Sequence, residues 1–273
     1  MIGVFDSGYG GLTVLREFVK LLPQYDYCYL GDNARTPYGT RSFETVYRYT
    51  LECVKCLFEQ GCKLVILACN TASAKALRTI QQNDLALIAP ERRVLGVIRP
   101  SVEALQQYTQ SSHVGVMGTT GTVLSNSYPI EIAKISPQIK VFQEACPIWV
   151  SLVENNEYEN EAADYFIKKH MDRLMQQSSK IDVIILACTH YPLLIDKIKK
   201  YTPSGVNVLS QGAIVAKSLQ DYLRRHTEMD MQLTKNKLRI FQTTDSSELF
   251  DQHASIFFGE KITSQSTSNS QFQ

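Results

Sequence analysis

Eight short apolar runs recur along the chain, and each is continuous rather than alternating. Ile2 to Phe5, Tyr27 to Leu30, Leu64 to Ala68, Val94 to Ile98, Val114 to Met117, Val183 to Ala187, Val206 to Leu209 and Leu238 to Phe241 are rich in β-branched residues. Unbroken hydrophobicity is what a strand covered on both faces requires, whereas a strand with one wet face alternates. The stretches between them follow a different period. Phe43, Val46, Tyr47, Thr50, Val54, Leu57 and Phe58 share a helical face, with Glu44, Arg48, Glu52, Lys55 and Glu59 falling elsewhere. Leu12 to Leu22, Ala162 to Met175 and Ile214 to Leu223 repeat that pattern. Strands alternating with amphipathic helices predict an α/β protein with mainly parallel sheets flanked by helices.

An internal echo divides this alternation in two. Leu64-Val-Ile-Leu-Ala-Cys-Asn-Thr71 returns as Val183-Ile-Ile-Leu-Ala-Cys-Thr-His190, so that Cys188 repeats Cys69 after 119 positions. Phe5-Asp-Ser-Gly-Tyr-Gly-Gly11 returns more loosely as Met117-Gly-Thr-Thr-Gly-Thr122. Two similar α/β lobes with a cleft between them are the simplest source of such an echo. The expected division is a first lobe of residues 1–95 together with 208–262, and a second lobe of residues 96–207. Residues 263–273, rich in Ser, Thr, Gln and Asn, are expected to form a disordered tail.

Composition narrows the function classes. The 273 residues carry 28 basic and 27 acidic side chains, a net charge of +1, which leaves no electrostatic footprint for nucleic acid or an anionic membrane. No apolar run approaches the length of a membrane span, and the opening residues lack the pattern of a signal peptide. A cytoplasmic location is therefore expected. Seven cysteines, an odd number, argue against a disulfide framework and for reduced thiols.

Two of the seven stand where chemistry concentrates in a parallel sheet, beyond the carboxyl ends of strands. Cys69 leads into Asn70-Thr71-Ala72-Ser73, and Cys188 into Thr189-His190-Tyr191-Pro192. Free N–H groups at the helix starts that follow should lower the thiol pKa and attract anions. A single cysteine there is more simply a small hydrophobe. A symmetric pair, each continued by hydroxyl and amide side chains, favours chemistry. A phosphatase loop is excluded because residue 75 is Lys and residue 194 is Leu where Arg would be needed. The Cys53/Cys56 pair lies inside a helix, which disfavours redox exchange, and no second pair or His-rich motif has zinc-ligand spacing. Cys28, Cys53, Cys56, Cys62 and Cys146 are expected to be structural. A thiol and a thiolate on opposite faces of one carbon form an acid–base pair that inverts it by proton transfer, with no cofactor and no metal. Asp6 is either a helix N-cap or a partner of this pair, and His190 either a structural histidine or a partner. Gly8, Gly10 and Gly11 do not make a dinucleotide fingerprint, since residue 13 is Thr. They suit close approach to a small anion.

Four segments carry a resemblance to a known family: Phe5-Asp-Ser-Gly-x-Gly-Gly-Leu-Thr-Val-Leu15, Gly31-Asp-x-Ala-Arg-x-Pro-Tyr-Gly39, Ala68-Cys-Asn-Thr-Ala72 and Ala187-Cys-Thr-His-Tyr-Pro192. Together they closely resemble glutamate racemase, of the cofactor-independent aspartate/glutamate racemase superfamily. The resemblance implies that Cys69 and Cys188 carry the protons, Asp6 assists Cys69, and His190 with Glu154 assists Cys188. Glu154 is placed by Ala145-Cys-Pro-x-x-Val-x-Leu-Val-Glu154, in which Ser151 stands where the family usually has Pro. It also implies that Ser7, Tyr38, Gly39, Asn70, Thr71, Thr119, Thr122 and Thr189 hold the substrate's carboxylates and ammonium. The activity implied is interconversion of L- and D-glutamate by a homodimer, supplying D-glutamate for peptidoglycan. A dicarboxylate suits a cleft lined by neutral donors. The competing readings are a racemase for another amino acid (aspartate or a hydantoin), a decarboxylase on the same scaffold, and a non-catalytic amino-acid sensor. The paired thiols disfavour the last two.

Overall fold

The computed structural model describes residues 1–267. Its strands are β1 (Ile2–Asp6), β2 (Tyr27–Gly31), β3 (Leu64–Leu67), β4 (Arg93–Gly96), β5 (His113–Gly118), β6 (Lys140–Ala145), β7 (Val183–Ala187), β8 (Asn207–Ser210), β9 (Arg239–Thr243) and β10 (Gln265–Ser266). They form two sheets in which every pairing is parallel, with orders β10-β9-β2-β1-β3-β4 and β6-β5-β7-β8. Helices flank both, so the molecule has the two-lobed parallel α/β architecture expected from the alternation. In each sheet the strand that ends in the echoed cysteine lies next to the strand that ends in the echoed glycine turn. β1 pairs with β3, and β5 with β7.

The central strands β1, β2, β3 and β7 are buried along their whole length, which accounts for their unbroken hydrophobicity. One face of the first sheet is covered by the helix Phe43–Glu59, through Cys53, Val54, Leu57 and Phe58. Ser42 caps that helix by accepting from the Thr45 N–H at 3.1 Å, and Gly61 closes it with φ of +87°, a conformation costly for other residues. The other face packs on the helices Leu12–Leu21, Gln211–Arg225 and Ser247–Phe258. That core runs on without a break into the second lobe, through Met117, Trp149, Leu186 and Tyr191. The lobes therefore share apolar packing, and their relative position is set by burial as well as by the two chain crossings.

Two strands escape the sequence pattern. β6 is a half-buried edge whose Lys140, Gln143 and Glu144 dilute its hydrophobicity. β10 corrects the expectation of a disordered tail from Thr263. Gln265–Ser266 pairs with β9, and the Thr267 N–H donates to Thr243 O at 2.9 Å. Backbone pairing secures this edge together with the Thr267 hydroxyl on Thr243 O and the Ser264 N–H on Asp251, contacts that side-chain composition does not announce. Residues 268–273 of that expected tail lie outside the described residues. The expected handover at residue 208 falls inside β8, which the second sheet holds through Ser210.

The turn after β1 meets the turn after β7 across the cleft. The Thr13 hydroxyl donates to Thr189 O at 3.0 Å and to Gly10 O at 2.8 Å. A Cβ on Gly10 would sit 2.2 Å from Thr189 Oγ1 and 2.6 Å from His190 Nδ1. Gly10→Ala is expected to lower activity at least a hundredfold by prising these turns apart while circular dichroism shows both lobes folded. Activity within threefold of wild type would show that the contact is slack.

Candidate active site

Cys69 follows β3 and is the N-cap of the short helix Asn70–Lys75, with its Sγ accepting from the Ala72 N–H at 3.4 Å. Ser7 Oγ lies 3.5 Å from the same sulfur. Asp6 ends β1 and is wholly buried. Its carboxylate accepts from the Gly8 N–H at 3.1 Å and from the Thr189 hydroxyl at 3.3 Å. Gly11 rather than Asp6 occupies the N-cap position of the helix Leu12–Leu21, which removes the capping reading of Asp6.

On the other side, Cys188 follows β7 and His190 stands two residues later. His190 Nδ1 is 3.9 Å from Cys188 Sγ and Nε2 is 2.9 Å from Glu154 Oε1. Glu154 reaches that position because the helix Ile148–Glu154 is anchored by Trp149, fully buried and packed edge-on against the Tyr191 ring at 4.8 Å between centroids. Phe257, from the C-terminal helix, meets the His190 ring edge-on at 5.3 Å. His190 is thus held by a carboxylate, a sulfur and an aromatic ring rather than by a solvated surface.

Burial and charge act differently on the two sides. Burial pushes the Cys69 thiol up to about 12, helped by the nearby Asp6 carboxylate and opposed by Ser7 and the Ala72 N–H. This corrects the expectation that helix-start N–H groups lower it. One long N–H contact does not offset removal from water plus a neighbouring anion. Burial works against a charged His190, but the Cys188 sulfur and the Glu154 carboxylate outweigh it and raise the imidazole to about 10. At neutral pH the site therefore holds a protonated imidazole beside one sulfur and a carboxyl beside the other.

Three hydroxyls cross the cleft farther along. Thr71 Oγ1 lies 2.9 Å from Thr119 Oγ1 and 3.4 Å from Thr122 Oγ1, and Thr119 Oγ1 donates to Thr122 Oγ1 at 3.1 Å. The loop carrying Gly39 closes over them, its carbonyl accepting from the Gly121 N–H at 2.7 Å. Asp6, Ser7, Cys69, Thr189, Cys188, His190 and Glu154 form one connected group, and Gly39, Thr71, Thr119 and Thr122 form the wall beside it. Tyr38 stands apart. Its ring is buried and its hydroxyl donates to Asp32, so any contact it makes to a ligand is through its backbone. Asn70 lies deeper, bonded to Tyr128 and Gln211. Neither partner was visible in the motifs, because a tyrosine inside one helix and a glutamine opening another carry no local signal.

These features bring two cysteine-bearing turns, one from each lobe, together at one buried site with a carboxylate beside each. The chain belongs to the Asp/Glu/hydantoin racemase family, whose model matches residues 2–219. It is 43% identical over 223 residues to the glutamate racemase of Geobacter metallireducens, covering 82% of this chain and 80% of that one. A glutamate racemase isoform from Bacillus anthracis superposes with a TM-score of 0.89 at 35% identity, covering 98% and 97% of the two chains. The glutamate racemase of Francisella tularensis subsp. tularensis, solved in complex with D-glutamate, superposes with a TM-score of 0.87 at 31% identity, covering 99% and 98%.

Asp6 yields a prediction about stability. Burial is the main influence on it and raises its pKa, with the His190 charge and the N–H groups of Gly11 and Gly8 opposing. A carboxyl with a higher pKa folded than unfolded holds its proton more tightly when folded. Stability is then complete below the unfolded value of 3.8 and declines as the pH rises through the folded one. Asp6→Asn removes this titration, so its melting temperature relative to wild type should be higher at pH 7 than at pH 4 by roughly 2–6 °C, while activity falls. Thermal scans at pH 4 and pH 7 test this; a gain no larger at pH 7 than at pH 4 would refute it.

Proposed function

We propose that the protein interconverts L- and D-glutamate by cofactor-independent proton transfer between two cysteines. The observation that carries this reading is the pair of sulfurs, each ending the strand beside a glycine turn in its own lobe, with opposite electrostatic surroundings. Cys69 lies in an environment that keeps a thiol protonated. Cys188 lies 3.9 Å from the Nδ1 of an imidazole held protonated by its surroundings. One sulfur removes the α-proton while the other delivers a proton to the opposite face, and their roles exchange for the reverse direction. Asp6 acts next to Cys69, and His190 with Glu154 next to Cys188. Ser7, Asn70, Thr71, Thr119, Thr122, Thr189 and the backbone of Tyr38 and Gly39 supply neutral donors to the carboxylates and an acceptor surface for the ammonium.

Glutamate is favoured over aspartate or a hydantoin by the relatives named above and by the Asp-x-Ala-Arg-x-Pro-Tyr-Gly segment that shapes the Gly39 loop. Within that segment Arg35 pairs with Asp32 at 2.8 Å, and Asp32 in turn accepts from Tyr38 and from Thr244 at 2.8 Å. The loop is therefore anchored to the first lobe while it reaches the second. Among the described residues no helix is long and apolar enough to cross a membrane. The family resemblance supports a cytoplasmic homodimer that supplies D-glutamate for peptidoglycan. It also supports a first lobe from both ends of the chain and a second from its middle, expected as 1–95 with 208–262 and 96–207, with β8 moving the second handover past Ser210.

Purified protein incubated with L-glutamate should lose its circular dichroism signal to the racemic limit, with L-aspartate turned over at least a hundredfold more slowly. Cys69→Ala and Cys188→Ala should each reduce turnover at least a thousandfold. Near-normal turnover by either variant would sink the two-cysteine assignment, and faster turnover of aspartate would sink the choice of substrate.

A further inference from the structure

Starting from Asn70, the residue after Cys69, three buried side chains close a hydrogen-bonded ring, and a fourth, Ser101, ties it to the backbone, joining both lobes. Asn70 Nδ2 donates to Gln211 Oε1 at 2.7 Å, and the Tyr128 hydroxyl donates to Asn70 Oδ1 at 2.8 Å. Gln211 Nε2 donates to Tyr128 Oη and to Ser101 Oγ, both at 2.6 Å. Ser101 in turn donates to Val97 O at 2.7 Å. All four residues are at most 5% exposed. They come from the helices Asn70–Lys75, Ile98–Ala104, Ser127–Ile135 and Gln211–Arg225. Ser101 lies where the chain first crosses toward the second lobe, and Gln211 where it has just left the last strand of that lobe.

The direction of every bond in the ring follows from one carbonyl. Val97 O can only accept, so it takes the single proton of Ser101, and Ser101 must then accept from its other neighbour. It accepts from the Gln211 amide nitrogen at 2.6 Å, which turns Gln211 Oε1 toward Asn70. Asn70 therefore presents its nitrogen to Gln211 and its oxygen to Tyr128. With the reverse orientation of Asn70, two amide oxygens would face each other. Among the described residues each donor of this ring is engaged except the second N–H of Asn70 Nδ2, on the residue next to Cys69. A carboxamide left to choose would present an oxygen or a nitrogen with similar ease; here the choice is made two helices away.

We infer that Ser101, Tyr128 and Gln211 are positioning residues for the reaction, which fix the Asn70 carboxamide so that one N–H remains for the substrate's carboxylate. The inference rests on the racemase reading, because it needs an anion beside Cys69. A hydrogen bond to a charged partner is worth more than one between neutral groups, and an amide oxygen turned the same way would repel a carboxylate.

The test uses the full-length protein and glutamate. Ser101→Val removes the hydroxyl at about the volume of Ser101→Thr, which keeps it. The valine variant should lose about tenfold in kcat/KM, the threonine variant should retain most of it, and their melting temperatures should agree within a few degrees. Tyr128→Phe should lose a similar factor. In an Asn70→Ala background neither Ser101→Val nor Tyr128→Phe should cost more than about twofold further, since residues acting through one group are not additive. Equal activity of the valine and threonine variants would overturn the inference, as would full additivity with Asn70→Ala. A wild-type protein that binds glutamate but does not racemise it would overturn the functional reading and this inference with it. Wild-type turnover with indifferent Ser101 variants would overturn this inference alone.

Discussion

The close approach of two turns, one after β1 and one after β7, is the contact on which the site depends. The Thr189 hydroxyl bonds to Asp6 at 3.3 Å, Thr13 bonds to Thr189 O, and Gly10 has no space for even one more carbon. This contact buries Asp6, orients Thr189, and seats His190 against the first lobe. Parallel sheets make it possible. Each gathers the carboxyl ends of its strands on one side, so two sheets facing each other bring their reactive turns together. The apolar core that runs from Phe18 to Trp149 beneath the turns holds the lobes in that relation.

Enclosure has an electrostatic consequence that differs between the two sulfurs. Burial disfavours charge at Cys69, and the neighbouring Asp6 disfavours it further. On the other side, the Glu154 carboxylate and the sulfur together keep a buried imidazole protonated against the same effect. A pair of chemically identical side chains is thereby made unequal by its surroundings. For the proposed reaction, inversion at a carbon needs an acid on one face and a base on the other. Buried groups such as Asp6 lower stability when ionised, and they persist at a site where the charge has a use.

Much of this was legible in the sequence because of where hydrophobicity is unbroken. β1, β3 and β7 are covered on both faces, so their composition alone marks them as strands and places Cys69 and Cys188 at their ends. β6 escapes the pattern because Lys140, Gln143 and Glu144 lie along a half-buried edge, and β10 because it is short and its composition is that of a loop. The motif Pro-Tyr-Gly placed the loop at the cleft, yet Tyr38 sends its hydroxyl to Asp32, a direction no spacing encodes. Likewise the link from Asn70 to Gln211 spans 141 positions, and only the fold brings them within 2.7 Å. Local chemistry and periodicity are written in order along the chain, whereas the bonds that orient a side chain are set by tertiary packing.

The central claim is that separate sulfurs remove and deliver the proton, and the fate of solvent deuterium tests it most directly. Reactions in deuterated water should be started from L-glutamate and from D-glutamate and stopped within the first tenth of turnover. With two bases, the enantiomer formed carries deuterium at Cα while the enantiomer recovered remains protiated, in both directions. Equal deuterium in recovered substrate and product, or protium carried over into the product, would mean that a single group serves both faces and would contradict the account.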